Sequence, residues 1–261
     1  MVTDSSSYFL STCVRLGGLL AIVLTKSYLY LRSQGFEVLQ HAHLAVQVSL
    51  AEPDEQLLFE GACAPGLMID GDYPHALDPR RPLHSFLISP VHPLNRSLRA
   101  RLDGFETFVP PAELTGQLSR LTVGAANRSQ LDGLFEQLMS FLCAEPERVE
   151  LDARIEEVVA HMDALEEKRV AAGELAERIS LSQSRFLHLF KAELAVTVRS
   201  YLLWLRTLEA ARLVAAGRSN TEAAHHCGFT DSAHLARAFK KMFGVTLSSI
   251  FTGVDPPTVV A

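Results

Sequence analysis

The sequence has little of what marks a membrane or secreted protein. Its longest apolar run, Leu16 to Leu24, is nine residues long and includes Gly17 and Gly18, about half of the ~18 residues a membrane span needs. No spanning helix is expected. The first residues hold Asp4 and a run of serines rather than the basic region of a secretory signal. Cysteine is scarce: Cys13, Cys63, Cys143 and Cys227 are scattered without pairing or metal spacing. Together these absences predict a cytoplasmic, reduced protein. A basic excess is also missing, since the net charge is −6, and taken as a sum that argues against a nucleic-acid partner. What the chain does have is 48% hydrophobic residues over 261 positions, enough for two ordinary domains with real cores.

The net charge hides a division. From Arg178 to Lys241 there are ten Lys/Arg against four Asp/Glu, whereas from Glu150 to Glu177 there are three against nine. The basic stretch coincides with a repeat. Ser182, Phe186, Leu189, Phe190 and Lys191 are matched forty-nine positions later by Asp231, Leu235, Ala238, Phe239 and Lys240. In both copies the apolar residues sit at i, i+3 and i+4, one buried helix face, with a residue able to N-cap four positions upstream. Each copy follows a short Ala-bearing helix, Gly173 to Ile179 and Thr221 to Cys227. A short helix, a tight turn and a second helix form a helix-turn-helix, whose second helix can enter the DNA major groove. Between the copies, Val198, Tyr201, Leu202, Leu205 and Leu208 predict one long helix from about Val196 to Ala216, stopped by Gly217. Some twenty residues at ~1.5 Å each give ~30 Å, close to the ~34 Å turn of B-DNA that separates two recognition helices on one face of a duplex. His225-His226-Cys227 is read as the end of a helix before Gly228, since adjacent helical residues diverge and no further ligand is near.

Residues from about Leu19 to Ser89 read as β structure. Runs at Leu19 to Leu24, Ser27 to Leu31, Leu44 to Leu50 and Leu83 to Ser89, broken by turn residues, suggest a small sandwich or barrel. His41-Ala42-His43 enters a strand, and His75 follows Gly71-Asp72-Tyr73-Pro74. From Pro90 to Gly104 the chain is expected to be helical, with Arg96, Arg99 and Arg101 on a solvated face. After Pro110-Pro111 come two more helices. The second carries a stripe of Leu131, Leu134, Phe135, Leu138, Phe141 and Leu142, which must be buried either on the β domain or on a second subunit. Pro146 marks the boundary, giving domains of 1–146 and 147–261. Asp152 then opens a helix with Ile155, Val158, Val159 and Met162 on one face. The fold class is α+β: an N-terminal β domain with helices and an all-α C-terminal half.

The segment from Asp152 to Phe251 resembles the AraC/XylS family of bacterial transcriptional regulators. The resemblance rests on Glu174-Leu175-Ala176, on Leu181-Ser182 to Phe190-Lys191, on Tyr201 to Arg212, and above all on Gly228-Phe229-Thr230-Asp231-Ser232 through Arg237-Ala238-Phe239-Lys240 to Phe243-Gly244-Val245. Ala195 stands where the family usually has Gly, Asn220 where it has Ile, and Leu247 with Ile250-Phe251 where it has Pro and Tyr-Arg. The family fold has two helix-turn-helix subdomains joined by a long helix. The resemblance also implies a cupin-like jelly-roll partner domain for effector sensing, in which an HxH pair and a later Pro-His step line the barrel mouth. In metal-binding cupins a Glu follows the second His by four or five residues, and here Gln47 and Val48 hold those places. Metal binding, ligand contact and a purely structural role all stay open for the histidines. Metal is the least favoured, so His41, His43, Gln47 and His75 are assigned to an effector, with no metal or cofactor.

By the resemblance, base contacts fall on Ser184, Leu187 and His188 in the first recognition helix and on Ala233, His234 and Arg237 in the second. The residues themselves give polar faces of Ser184, Arg185, His188 and Lys191, and of Ser232, His234, Arg237 and Lys241. Arg reads guanine bidentately and Lys more often meets phosphate, so Arg237 is the leading base reader. The expected function is effector-controlled, sequence-specific binding of double-stranded DNA, with RNA polymerase as a further partner and a homodimer through the N-terminal helices. A metal-dependent cupin enzyme with a nucleic-acid-binding tail is disfavoured by the missing Glu. A DNA-repair methyl acceptor is disfavoured because Cys13 and Cys63 lack an activating cluster. The expectation is therefore a regulator and not an enzyme.

Overall fold

A computed structural model describes residues 19–33, 38–77, 82–121, 128–143, 150–165 and 168–247. Cys13, Leu16, the 144–147 boundary, Ile250 and Phe251 lie outside the described residues. The N-terminal part runs β1 (Leu19–Leu24), β2 (Tyr28–Ser33), β3 (Val46–Ala51), β4 (Leu57–Phe59), β5 (Ala62–Ala64), β6 (Gly66–Ile69), β7 (Leu83–Ile88), α1 (Asn95–Arg101), β8 (Phe105–Phe108), α2 (Ala112–Arg120) and α3 (Arg128–Leu142). Six strands form one antiparallel sheet in the order β1-β2-β7-β3-β6-β8, and β4 and β5 form a separate hairpin. The four runs expected as strands are β1, β2, β3 and β7.

Alternation along the strands gives the sheet two apolar faces. Tyr28 and Tyr30, Val46, Val48 and Leu50, and Phe86 and Ile88 point to one side, where Leu98, Leu114, Leu118 and the α3 stripe cover them. Tyr28 stacks on Phe135 at 4.3 Å between centroids and donates its hydroxyl hydrogen to Asp132. The stripe is therefore used within the chain, with Phe141 left 42% exposed. On the opposite side Leu29 and Leu87, with Leu24, Leu44 and Ala45, join the core of the C-terminal helices, while the hairpin covers the far end through Leu57 and Phe59. One expectation is corrected here. The helix after Pro90 stops at Arg101, because Gly104 turns the chain at φ +81° and accepts a 2.8 Å bond from the Asp70 amide. The following residues then pair as edge strand β8 with β6.

The C-terminal part contains α4 (Ala153–Ala164), α5 (Ala172–Arg178), α6 (Gln183–Leu194), α7 (Val198–Ala215), α8 (Asn220–His226) and α9 (Ser232–Phe243). Asp152 caps α4 through the Arg154 amide. Ser219 and Glu222 form a reciprocal capping box at the start of α8, which ends at Cys227 as its C-cap. Gly217, at φ +90°, ends the linker helix α7. None of the described helices is long and apolar enough to cross a membrane.

The repeat extends to the helix ends. Ala195 after α6 and Gly244 after α9 both take the left-handed conformation, at φ 58° and 72°, and each amide donates to the carbonyl four residues back. A Cβ in that conformation costs roughly 1–2 kcal/mol, which Gly244 avoids and Ala195 does not. Ala195→Gly is therefore expected to stabilise the chain by about 0.5–1 kcal/mol, after allowing for the extra freedom of glycine when unfolded. A rise in the urea midpoint at unchanged m-value is the check.

Candidate nucleic-acid interface and effector cavity

The two candidate recognition helices start from side-chain caps of unequal quality. Ser182 accepts from the Arg185 amide at 3.4 Å, and Asp231 from the His234 amide at 2.6 Å. Phe186 and Phe190 in α6, and Leu235 and Phe239 in α9, are buried in the shared helical core. That burial turns Ser184, Arg185, Leu187, His188 and Lys191 to solvent on α6, and Ala233, Arg237 and Lys241 on α9. Ser232 and His234 are only partly exposed. His234 is engaged locally, its Nδ1 3.1 Å from the Thr230 hydroxyl and its ring edge-on to Phe229. It serves the turn as well as any contact outside the chain. The joining helix α7 has 18 residues, about 27 Å at 1.5 Å per residue.

Both recognition helices are gripped at their C-terminal ends by the N-terminal part. From α1, Arg96 donates to the carbonyls of Ala192 and Glu193 and pairs with the Glu193 carboxylate at 3.1 Å. A cation there also complements the negative end of the α6 dipole. At α9, the Leu39 amide donates to the Gly244 carbonyl at 3.0 Å. Gly244 is closely packed: a Cβ would collide with the Leu39 carbonyl and approach His41 Nδ1 to 2.8 Å. Trp204, the single tryptophan, lies in α7 between the ring of His43, 6.3 Å away, and that of Phe243, 5.8 Å away.

A cavity of about 90 Å³ opens between the sheet and these helices. Leu29, Leu31, Leu83 and Leu87 form one wall, and Leu208, Ala211, Phe239 and Phe243 the other. Its polar groups are few, with Ser33, Gln47, Ser85 and His41 among the lining. Gln47 Nε2 donates to Ser49 Oγ at 2.9 Å, which meets Ser85 Oγ at 2.9 Å. The assigned effector residues His41, His43, Gln47 and His75 do come together. Burial and the neighbouring imidazole of His75 hold His41 down to about 4, and burial with both neighbouring histidines holds His43 down to about 3. Burial lowers His75 as well. All three rings are neutral at pH 7.

The sequence from 175 to 252 matches a family described as a helix-turn-helix domain. Curated relatives include the probable transcriptional regulator LumQ of Photobacterium leiognathi, 30% identical over 31% of this chain and 33% of that protein. The arabinose operon regulatory protein of Salmonella typhimurium is 28% identical over 55% of this chain and 54% of that protein. The transcriptional activator RhaS of Pectobacterium carotovorum is 39% identical over 30% and 28%. The helical half is thus similar to curated transcriptional regulators and carries the helix-turn-helix match. The chain spans about a third to a half of the length of the first two of these relatives. ToxT from Vibrio cholerae shares the two-part fold over 88% of this chain and all of its own, with a TM-score of 0.55 at 13% identity. A further ToxT structure, with a TM-score of 0.54, is described as bound to an unsaturated fatty acid.

Two groups beside these helices could not be found from the sequence. Arg154, at the start of α4, lines a groove beside α6 with Ser184, Arg185 and His188, although it is held by two bonds to Asp152. Its placement against α6 depends on packing between helices distant in sequence. The cavity walls from α7 and α9 were missed for the same reason. The unequal caps predict unequal costs: Asp231→Ala loses about 1 kcal/mol and Ser182→Ala a few tenths. Thermal unfolding of the two variants side by side measures this.

Proposed function

We propose that this protein is a sequence-specific DNA-binding transcriptional regulator and not an enzyme. In this reading residues 1–146 sense a small molecule and 147–261 bind the duplex. The observation that carries the proposal is the pair of AraC/XylS-type helix-turn-helix units whose exposed faces are cationic and in register. Arg237 is exposed on α9 and reads a base edge, Arg185, Lys191 and Lys241 meet phosphates, and Ser184, His188 and Ser232 make single hydrogen bonds. Leu187 and Ala233 contact thymine methyls. The protein works in the cytoplasm and passes its output to RNA polymerase.

The effector occupies the cavity between the sheet and the helices. Its walls favour an aliphatic body, and Ser33, Ser85, Gln47 and His41 are polar groups among its lining. The fatty-acid-bound ToxT is in keeping with such a ligand in this fold. Because α7 and α9 form one wall, an occupant displaces the frame that sets the recognition helices. A homodimer uses what the N-terminal helices leave outward: Phe141, packed 6.0 Å from Phe108, with Val109 73% exposed beside them. In sedimentation velocity, Phe141→Asp is expected to convert dimer to monomer; a parent already monomeric at high concentration contradicts the dimer.

DNA binding is tested by fluorescence anisotropy on an operator selected from genomic fragments and on random duplex, at one salt concentration. Arg237→Ala is expected to cost ~1–3 kcal/mol on the operator and to relax preference at one base pair, whereas Lys191→Ala weakens both duplexes alike. Equal losses on the two duplexes for Arg237→Ala contradict base readout.

A further inference from the structure

The candidate recognition helix α6 borders two grooves of different electrostatic character. Between α4 and α6, a groove of about 510 Å³ is lined by Arg154 on one side and by Ser184, Arg185 and His188 on the other. Among the described residues that line it there is no Asp or Glu. The second groove, where the end of α6 meets α1, is lined by Asp70 and Glu193 as well as Arg96 and Arg99. Its charges balance, whereas the first groove presents cations to whatever enters.

Arg154 is held in this groove by a pair that exchanges easily. Its Nε donates to Asp152 Oδ1 at 2.9 Å and its Nη2 to Asp152 Oδ2 at 2.6 Å. The two side chains are 47% and 26% exposed, and an ion pair so open to water is weak. The two partners differ in how firmly they are fixed. Asp152 caps α4 by accepting from the Arg154 amide at 2.9 Å. Its own amide donates to Glu193 Oε2 at 3.1 Å, and Glu193 is in turn gripped by Arg96 of α1. Among the described residues the Arg154 guanidinium has Asp152 as its one hydrogen-bonding partner. Asp152 is therefore anchored, and Arg154 is the member of the pair free to swing.

A B-DNA major groove is ~12 Å wide and admits a single helix, so with α6 seated in it, whatever stands beside α6 meets the phosphate backbone at the rim. We propose that Arg154 is a DNA-phosphate contact held in reserve. Asp152 holds it in the free protein, and a backbone phosphate entering between α4 and α6 takes it over, with Arg185 on the opposite wall. The guanidinium fork fits carboxylate and phosphate alike, so the exchange replaces one set of charge-assisted bonds by another and leaves Asp152 its capping bond to α4. Such a contact carries no base information; it fixes how α6 enters the groove. The inference rests on the DNA-binding reading proposed above, to which it adds a residue from outside both helix-turn-helix units and a carboxylate that restrains it.

The test measures binding of the full chain to the selected operator and to a random duplex of the same length, by fluorescence anisotropy over about 50 to 200 mM salt. Arg154→Ala is expected to weaken both duplexes by the same factor and to make the slope of log affinity against log salt less steep by about 0.9, the share of one phosphate. Arg154→Lys keeps the charge and should restore most of the slope. Asp152→Asn keeps a good N-cap while releasing Arg154, and should tighten both duplexes about two- to fivefold, the size of an exposed ion pair. Adding Arg154→Ala to Asp152→Asn should abolish that gain. Circular dichroism checks folding, with Arg154→Gln as the second neutral variant if alanine is not tolerated. A folded neutral variant with the parent's affinity and slope, while Arg237→Ala still loses the operator, overturns this proposal alone. So does a loss confined to the operator, or a gain from Asp152→Asn that survives Arg154→Ala. A parent that binds neither duplex overturns the DNA-binding reading itself, and the Arg154 contact with it.

Discussion

The second face of the six-stranded sheet has no cover of its own except at the β4–β5 end. Leu29 and Leu87 leave the sheet on the side away from α1–α3, and burying them requires the C-terminal helices. At ~25 cal/mol per Å² of apolar surface removed from water, leaving such side chains exposed is costly, so the two parts are held against each other. Much follows from that contact. It brings Trp204 against His43, seats the end of α9 on Leu39, aligns Arg96 with the end of α6, and leaves the unfilled space between the layers as a cavity.

Under the proposed function, this arrangement would link sensing to reading without a long pathway. The helices whose outer faces bear Arg237 and Lys191 have inner faces or C-terminal ends in contact with the N-terminal part. The cavity is walled by α7 and α9 but not by α6, so in the proposed reading widening it would move α9 relative to α6. A duplex fixes the spacing of its grooves, so such a shift converts directly into affinity. Under the proposed function, allostery would require that this shared element take a second arrangement when the cavity is occupied.

What the sequence revealed follows from the range of each interaction. The recognition helices were legible because caps and i, i+3, i+4 stripes are local: Ser182, Asp231 and the linker stop at Gly217 behave as their residue types and spacing demand. The strands β1, β2, β3 and β7 were legible from apolar runs broken by turns. The short β4, β5 and β6, and β8 beyond Gly104, were not, since three or four residues carry almost no period. Nor could Leu29 and Leu87 announce that helices rather than a second sheet would cover them. His41, His43, Gln47 and His75 were picked out as a set. That they converge became visible only with the His41–His75 bridge.

The central claim is that one chain presents two recognition helices to one face of a duplex, on a frame set by its N-terminal part. Hydroxyl-radical footprinting of the full chain on its most occupied genomic site tests this most directly. The account predicts two protected patches on the same face, centred about 10.5 base pairs apart, with the patch assigned to α9 lost selectively when Arg237 and Lys241 are replaced. A single patch, or one that is unchanged by those replacements, would contradict it.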